Sequence, residues 1–122
     1  MTRPSLCIID PVKPSGQSYT APIVTAAQSH FSSFVHIRPP LNELPTLYEH
    51  ADAIWIDWLT EHAVSASRLN RGLKKPLWIR LHAFEVLEGR YCREVEWENV
   101  TGLVAVCDDV LKLALEQEPR IA

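Results

Sequence analysis

Short apolar runs recur along this chain, most of them ended by a proline or an acid, and residues at helical spacing fill the gaps between them. Leu6-Cys7-Ile8-Ile9 runs into Asp10-Pro11, the pattern of a strand buried on both faces and closed by a breaker. Phe34-Val35-His36-Ile37 stops at Pro39-Pro40, which cannot continue a ladder. Ala53-Ile54-Trp55-Ile56, Leu77-Trp78-Ile79-Arg80-Leu81 and Leu103-Val104-Ala105-Val106-Cys107 read as the third, fourth and fifth strands.

The intervals carry helices. Ile23, Ala26, Ala27, His30 and Phe31 share one face, with Thr20 as N-cap and Pro22 in the first turn. Leu44, Leu47, Tyr48 and Ala51 mark a second face behind Asn42 as cap, with Pro45 tolerated early. Thr60 caps a third helix carrying Ala63, Ala66, Leu69 and Leu73, and Arg68, Arg71 and Gly72 close it before Pro76. Val110, Leu111, Ala114 and Leu115 face inward on a last helix that starts at Asp108 and Asp109. Residues 83–101 form the longest connection and contain five glutamates, so a short helix plus a loop is expected there.

Strands that alternate with helices predict an α/β fold: a doubly wound, mostly parallel five-stranded sheet with helices on both faces and right-handed crossovers. At 122 residues the chain is expected to be one domain, spanning 1–122. A hydrophobic content of 47% with 22% charged residues fits a globular chain.

Twelve Lys and Arg against fifteen Asp and Glu leave no surplus of positive charge for phosphates, so no nucleic-acid partner is expected. The cations Arg68, Arg71, Lys74 and Lys75 suit a helix C-terminus. Cys7, Cys92 and Cys107 form no C-x-x-C pair and read as small core or near-core residues of a reducing compartment. Neither a metal nor a cofactor is expected. Four apolar residues before Asp10 are too few for a secretion signal, which points to the cytoplasm, the inner face of the membrane included.

In a parallel sheet, ligands bind beyond the carboxyl ends of the strands, where loops diverge and helix N-termini point. That nominates Asp10 with Lys13, Ser15 and Gly16, then Arg38, Asp57, Trp58, His82 with Glu85, and finally Asp108 and Asp109. The loop Lys13-Pro14-Ser15-Gly16 offers donors and close backbone approach, and it equally suits an ordinary turn. It contains neither G-x-G-x-x-G nor G-x-x-x-x-G-K-[ST]. An imidazole at 82 three residues before a carboxylate at 85 can share a helical face and move a proton near neutrality. Of the tryptophans, Trp55 and Trp78 are expected inside the core, whereas Trp58, at a strand's end, is placed to line a cleft.

Asp57 at the end of the third strand also invites comparison with phosphoacceptor receiver domains. The first strand ends in one acid instead of a pair, the fourth lacks a terminal Ser or Thr, and Cys107 stands where Lys-Pro would follow the fifth. A different resemblance covers more of the chain. Ala53-Ile54-Trp55-Ile56-Asp57-Trp58, Arg80-Leu81-His82-Ala83-Phe84-Glu85 and Val95-Glu96-Trp97-Glu98-Asn99-Val100 leading into Leu103-Val104-Ala105-Val106 together resemble the N-terminal Rossmann-like domain of GT-B glycosyltransferases, in the group containing family 4. The likeness spans residues 51–115.

The family's R-L-H-x-x-E is matched by Arg80, Leu81, His82 and Glu85. The resemblance implies that His82, with Glu85, faces an interdomain cleft near the transferred sugar; Asp10, Lys13, Ser15, Gly16, Asp57, Trp58 and Asp108, nominated by their place at the carboxyl ends of the strands, are then expected around a sugar or glycan acceptor. Asp108 replaces the family's Ser, and the glycine-rich loop after the first strand is reduced to Gly16. A nucleotide-sugar donor would be held by a second, C-terminal domain that 122 residues do not accommodate. The chain is therefore expected to be the acceptor-side half, inactive alone, or else a non-enzymatic module that forms a homodimer through its exposed face.

Overall fold

The computed structural model describes residues 4–10, 25–27, 30–37, 39–82, 90–105 and 107–121. Its strands are β1 (Ser5–Asp10), β2 (Ser32–Ile37), β3 (Ala53–Asp57), β4 (Leu77–Leu81) and β5 (Gly102–Ala105). All pairs are parallel, and the strands lie side by side in the order β2-β1-β3-β4-β5. The helices are α1 (Leu44–His50), α2 (Glu61–Leu73), α3 (Arg90–Glu94) and α4 (Asp108–Gln117), and residues 25–27 are also helical. The α/β alternation of the sequence is thus realised as a parallel sheet. No helix among the described residues is long and apolar enough to cross a membrane.

Alternation along each strand divides the core in two. Cys7, Ile9, Ile54, Ile56, Leu77, Ile79 and Leu81 point to one face, where Leu44 and Tyr48 of α1, Ala63 and Ala66 of α2, Cys92 of α3 and Val110 and Ala114 of α4 cover them. Leu6, Ile8 and Ala53 point the other way, against Ala27, Phe31 and Trp55. Among the described residues the first face has the thicker cover. Hydrophobic burial on this scale supplies the main drive to fold, at roughly 25 cal/mol per Å².

Local contacts show why these elements stop where they do. Ser5 starts β1 by donating its N–H to Asp52 Oδ2 at 2.7 Å, while its hydroxyl donates to the His50 carbonyl at 3.0 Å.

 The β1 start is thereby tied to the turn between α1 and β3. Lys75 donates to the carbonyls of Tyr48, at 2.6 Å, and Ala51, at 2.8 Å, and so supplies the donors that the last turn of α1 lacks. Asn70, buried on α2, donates to the carbonyls of Lys75 and Asn99 and accepts from the Lys75 N–H, which joins the end of α2 to the approach to β5.

Several boundaries differ from the sequence expectation. A 3-10 turn, Leu41–Glu43, precedes α1, so Glu43 and not Asn42 occupies its N-cap position, without a side-chain bond. Thr60 sits at the N-cap of α2, but its hydroxyl makes no cap bond. That helix runs through Gly72 and ends at Leu73, with Lys74 in the left-handed region at φ 50° and ψ 41°. Leu73 and Leu111 are exposed, because the turn of each helix rotates them off the buried stripe set by Ala63, Ala66, Val110 and Ala114. Cys107 is exposed at the N-cap of α4, since β5 ends at Ala105, whereas Cys7 and Cys92 are buried.

Candidate functional site

The strand register assembles the site. Ile8, Trp55, Trp78 and Gly102 stand opposite one another across four strands. One pleat further towards the carboxyl edge, Asp57 stands opposite Arg80, and Arg80 opposite Val104. An aromatic row is therefore followed by an ionic one on the same face, since side chains two residues apart along a strand share a face. The chain order reverses direction between β1 and β3, and crevices of open α/β sheets lie at such switch points. Asp10 and Asp57 are the last residues of those two strands.

Asp57 is fully buried and holds two partners, Arg80 and His82. Its Oδ1 accepts from Arg80 Nε at 2.5 Å and its Oδ2 from Arg80 Nη2 at 3.1 Å, a two-pronged pairing that matches the planar guanidinium fork. The same Oδ1 lies 3.3 Å from His82 Nε2. Burial pushes the Asp57 carboxyl up, but the hydrogen bonds from His82 and Arg80, with the charge of both, outweigh it and hold the group below its ordinary value. The carboxylate thus stays ionised, and an ionised carboxylate only accepts.

Trp58 completes the cluster. Its backbone turns into the left-handed region at φ 78°, while its N–H donates to the Arg80 carbonyl at 2.9 Å and extends the β3–β4 ladder by one bond. The indole then lies over the His82 imidazole, with ring centroids 3.8 Å apart and planes 13° from parallel. A bulky residue at positive φ is strained by about 1–3 kcal/mol and persists only where its surroundings over-determine it.

Of the residues nominated from sequence, Asp57, Trp58 and His82 come together. Asp10 is buried at the end of β1, and Asp108 and Asp109 are exposed in the first turn of α4. Lys13, Ser15, Gly16, Arg38 and Glu85 lie outside the described residues. Arg80, read from sequence only as part of a strand and a motif, proves to be the principal partner of Asp57. Its signal was the alternation that puts Trp78 and Arg80 on one face, but the pairing itself needed the β3–β4 register.

Trp55 and Trp78 depart from the expectation of core tryptophans. Trp55 is half-buried and Trp78 is 38% exposed. Both line an apolar groove of about 580 Å³ on the second face, with Leu6, Ala27, Phe31 and Val104. Among the described residues no cluster of three or more His, Cys, Asp or Glu has the arrangement of a metal site. No family model, curated protein or solved structure matches this chain.

Proposed function

We propose that the chain is the acceptor-side, N-terminal Rossmann-like domain of a GT-B glycosyltransferase in the group containing family 4. In this reading a second domain binds the nucleotide-sugar donor and closes a cleft over the carboxyl edge of the sheet. His82, with Glu85, meets hydroxyls of the acceptor or the transferred sugar there. The reaction forms a bond from an acceptor oxygen to the sugar's anomeric carbon and breaks the bond from that carbon to the nucleoside diphosphate, which leaves.

The observation that carries the reading is the position of Arg80-Leu81-His82: the strand part of the R-L-H-x-x-E segment ends β4 beside the switch-point strand β3, with His82 just beyond the edge. An imidazole there, backed by a carboxylate, is suited to orient a hydroxyl or carry its proton. In a full-length enzyme containing this domain, His82→Ala is expected to lower kcat/KM by roughly 10²-fold, the scale of a positioned acid or base. Transfer at an unchanged rate by a correctly folded variant would remove the assignment.

A second reading is favoured by the groove. An exposed tryptophan flanked by apolar residues suits a non-enzymatic module that pairs with another copy through this face. Sedimentation should then show a concentration-dependent dimer that Trp78→Glu abolishes. A monomer throughout the accessible concentration range would exclude it.

A further inference from the structure

We propose that Asp57 and Trp58 are positioning residues for His82, the carboxylate setting the rotation of the imidazole within its own plane and the indole setting that plane. The inference rests on the reading above only in taking His82 as the group that meets a ligand.

The division of labour follows from geometry. A planar ring on a two-bond stem needs two constraints that are not parallel to each other. The Trp58 indole, 3.8 Å away and 13° from parallel, opposes tilting of the imidazole and leaves rotation within the plane almost free. The Asp57 oxygen at 3.3 Å from Nε2 acts along an in-plane direction and opposes that rotation. Because this carboxylate is an acceptor only, Nε2 carries the proton, and Nδ1 is the acceptor nitrogen while the ring is neutral.

Each constraint is itself fixed. Arg80 grips both Asp57 oxygens, and the Trp58 N–H is bonded to the Arg80 carbonyl two residues before His82. All four groups are thus locked to the last turns of β3 and β4. Asp57 has no exposed surface, whereas the His82 side chain retains 10% exposure. Any effect of Asp57 on a ligand therefore passes through its partners, the His82 imidazole or the Arg80 guanidinium, whose side chain retains 14% exposure. The strained backbone of Trp58 has the same rationale, since φ 78° is the conformation that turns the indole back over residue 82.

The test uses the chain as it stands. Diethyl pyrocarbonate acylates neutral imidazole nitrogen, and mass spectrometry reads the rate at each histidine, with exposed His50 and buried His62 as internal references. Proton NMR of the His82 ring reads the indole's ring current independently. Trp58→Gly relieves the backbone strain and removes the stack, so the fold is retained while the His82 ring protons move downfield and its acylation rises severalfold. Trp58→Phe should restore both readouts most of the way.

Asp57→Asn should raise acylation of His82 while leaving the stacked ring-current signature largely in place. If that variant fails to fold, nitrogen-15 shifts of the His82 ring in the unaltered chain decide the carboxylate's part: a neutral ring protonated at Nε2 is expected, and one protonated at Nδ1 would overturn it. Unchanged His82 acylation and ring shifts in folded Trp58→Gly would overturn the proposal. Neither readout involves sugar transfer, so failure here leaves the glycosyltransferase reading untouched, and failure of that reading leaves these contacts to be judged on their own.

Discussion

Trp78 lies across Gly102, its partner on the adjacent strand, so closely that a methyl group at residue 102 would overlap the six-membered part of the indole. The absent side chain is what lets the ring settle onto the sheet. Gly102→Ala is expected to destabilise the fold by about 1–3 kcal/mol through overpacking, read as a lower urea midpoint. In a Trp78→Ala background the same change should be neutral or stabilising by about 0.5–1 kcal/mol, because alanine loses less chain entropy than glycine in a strand. Equal penalties in both backgrounds would show that the ring is not the obstacle.

Lys74 ends α2 in the left-handed region at φ 50°, where a β-carbon crowds the following carbonyl. Its side chain is exposed, so replacement removes little else. Lys74→Gly should stabilise the protein by about 1 kcal/mol, seen as a raised midpoint with an unchanged denaturant slope. The neighbouring Lys75 is no equivalent site, for its ammonium caps α1, and Lys75→Ala should destabilise.

Asp57 makes stability depend on acid. Its folded-state value is depressed below the ordinary 3.8, so the stabilisation it contributes is complete above that pH and is lost as pH falls through the depressed value. Urea midpoints measured from pH 6 downward should fall more steeply for the native sequence than for Asp57→Asn, which has no such carboxyl to protonate. At neutral pH that variant should be the less stable of the two, by about 1–3 kcal/mol, because Arg80, half-buried, is left without its counter-charge. Parallel acid limbs would refute the assignment.

The thiols should separate into two classes. Cys107 is exposed, while burial pushes both Cys7 and Cys92 up to about 11, which keeps them as unreactive thiols at pH 8. A disulfide reagent such as Ellman's should therefore titrate one thiol rapidly and the other two only as the chain unfolds. Cys107→Ser should abolish the fast phase, and three fast thiols in the native protein would contradict the burial.

The sequence by itself determined the strands, because runs such as Leu6-Cys7-Ile8-Ile9 and Ala53-Ile54-Trp55-Ile56 are continuous apolar segments of strand length, although the acids that follow them, Asp10 and Asp57, also belong to β1 and β3 and are buried. It also nominated Asp57, Trp58 and His82, since the carboxyl ends of parallel strands are where loops diverge. Helix ends were less legible. The stop of α2 falls at Leu73, one residue past the Gly72 nominated from sequence, and is held by how Asn70 reaches Lys75 and Asn99.

Only the tertiary structure decided which of these residues touch. Strand order and register are long-range quantities: they put Arg80 beside Asp57, fold Trp58 over His82 and leave Trp78 partly exposed above Gly102. A run of apolar residues states that a strand is buried, but not which face receives the thicker cover of helices. Among the described residues the thinner cover of the second face leaves Trp78, expected in the core, partly exposed, and the register makes a motif arginine the principal partner of a buried acid.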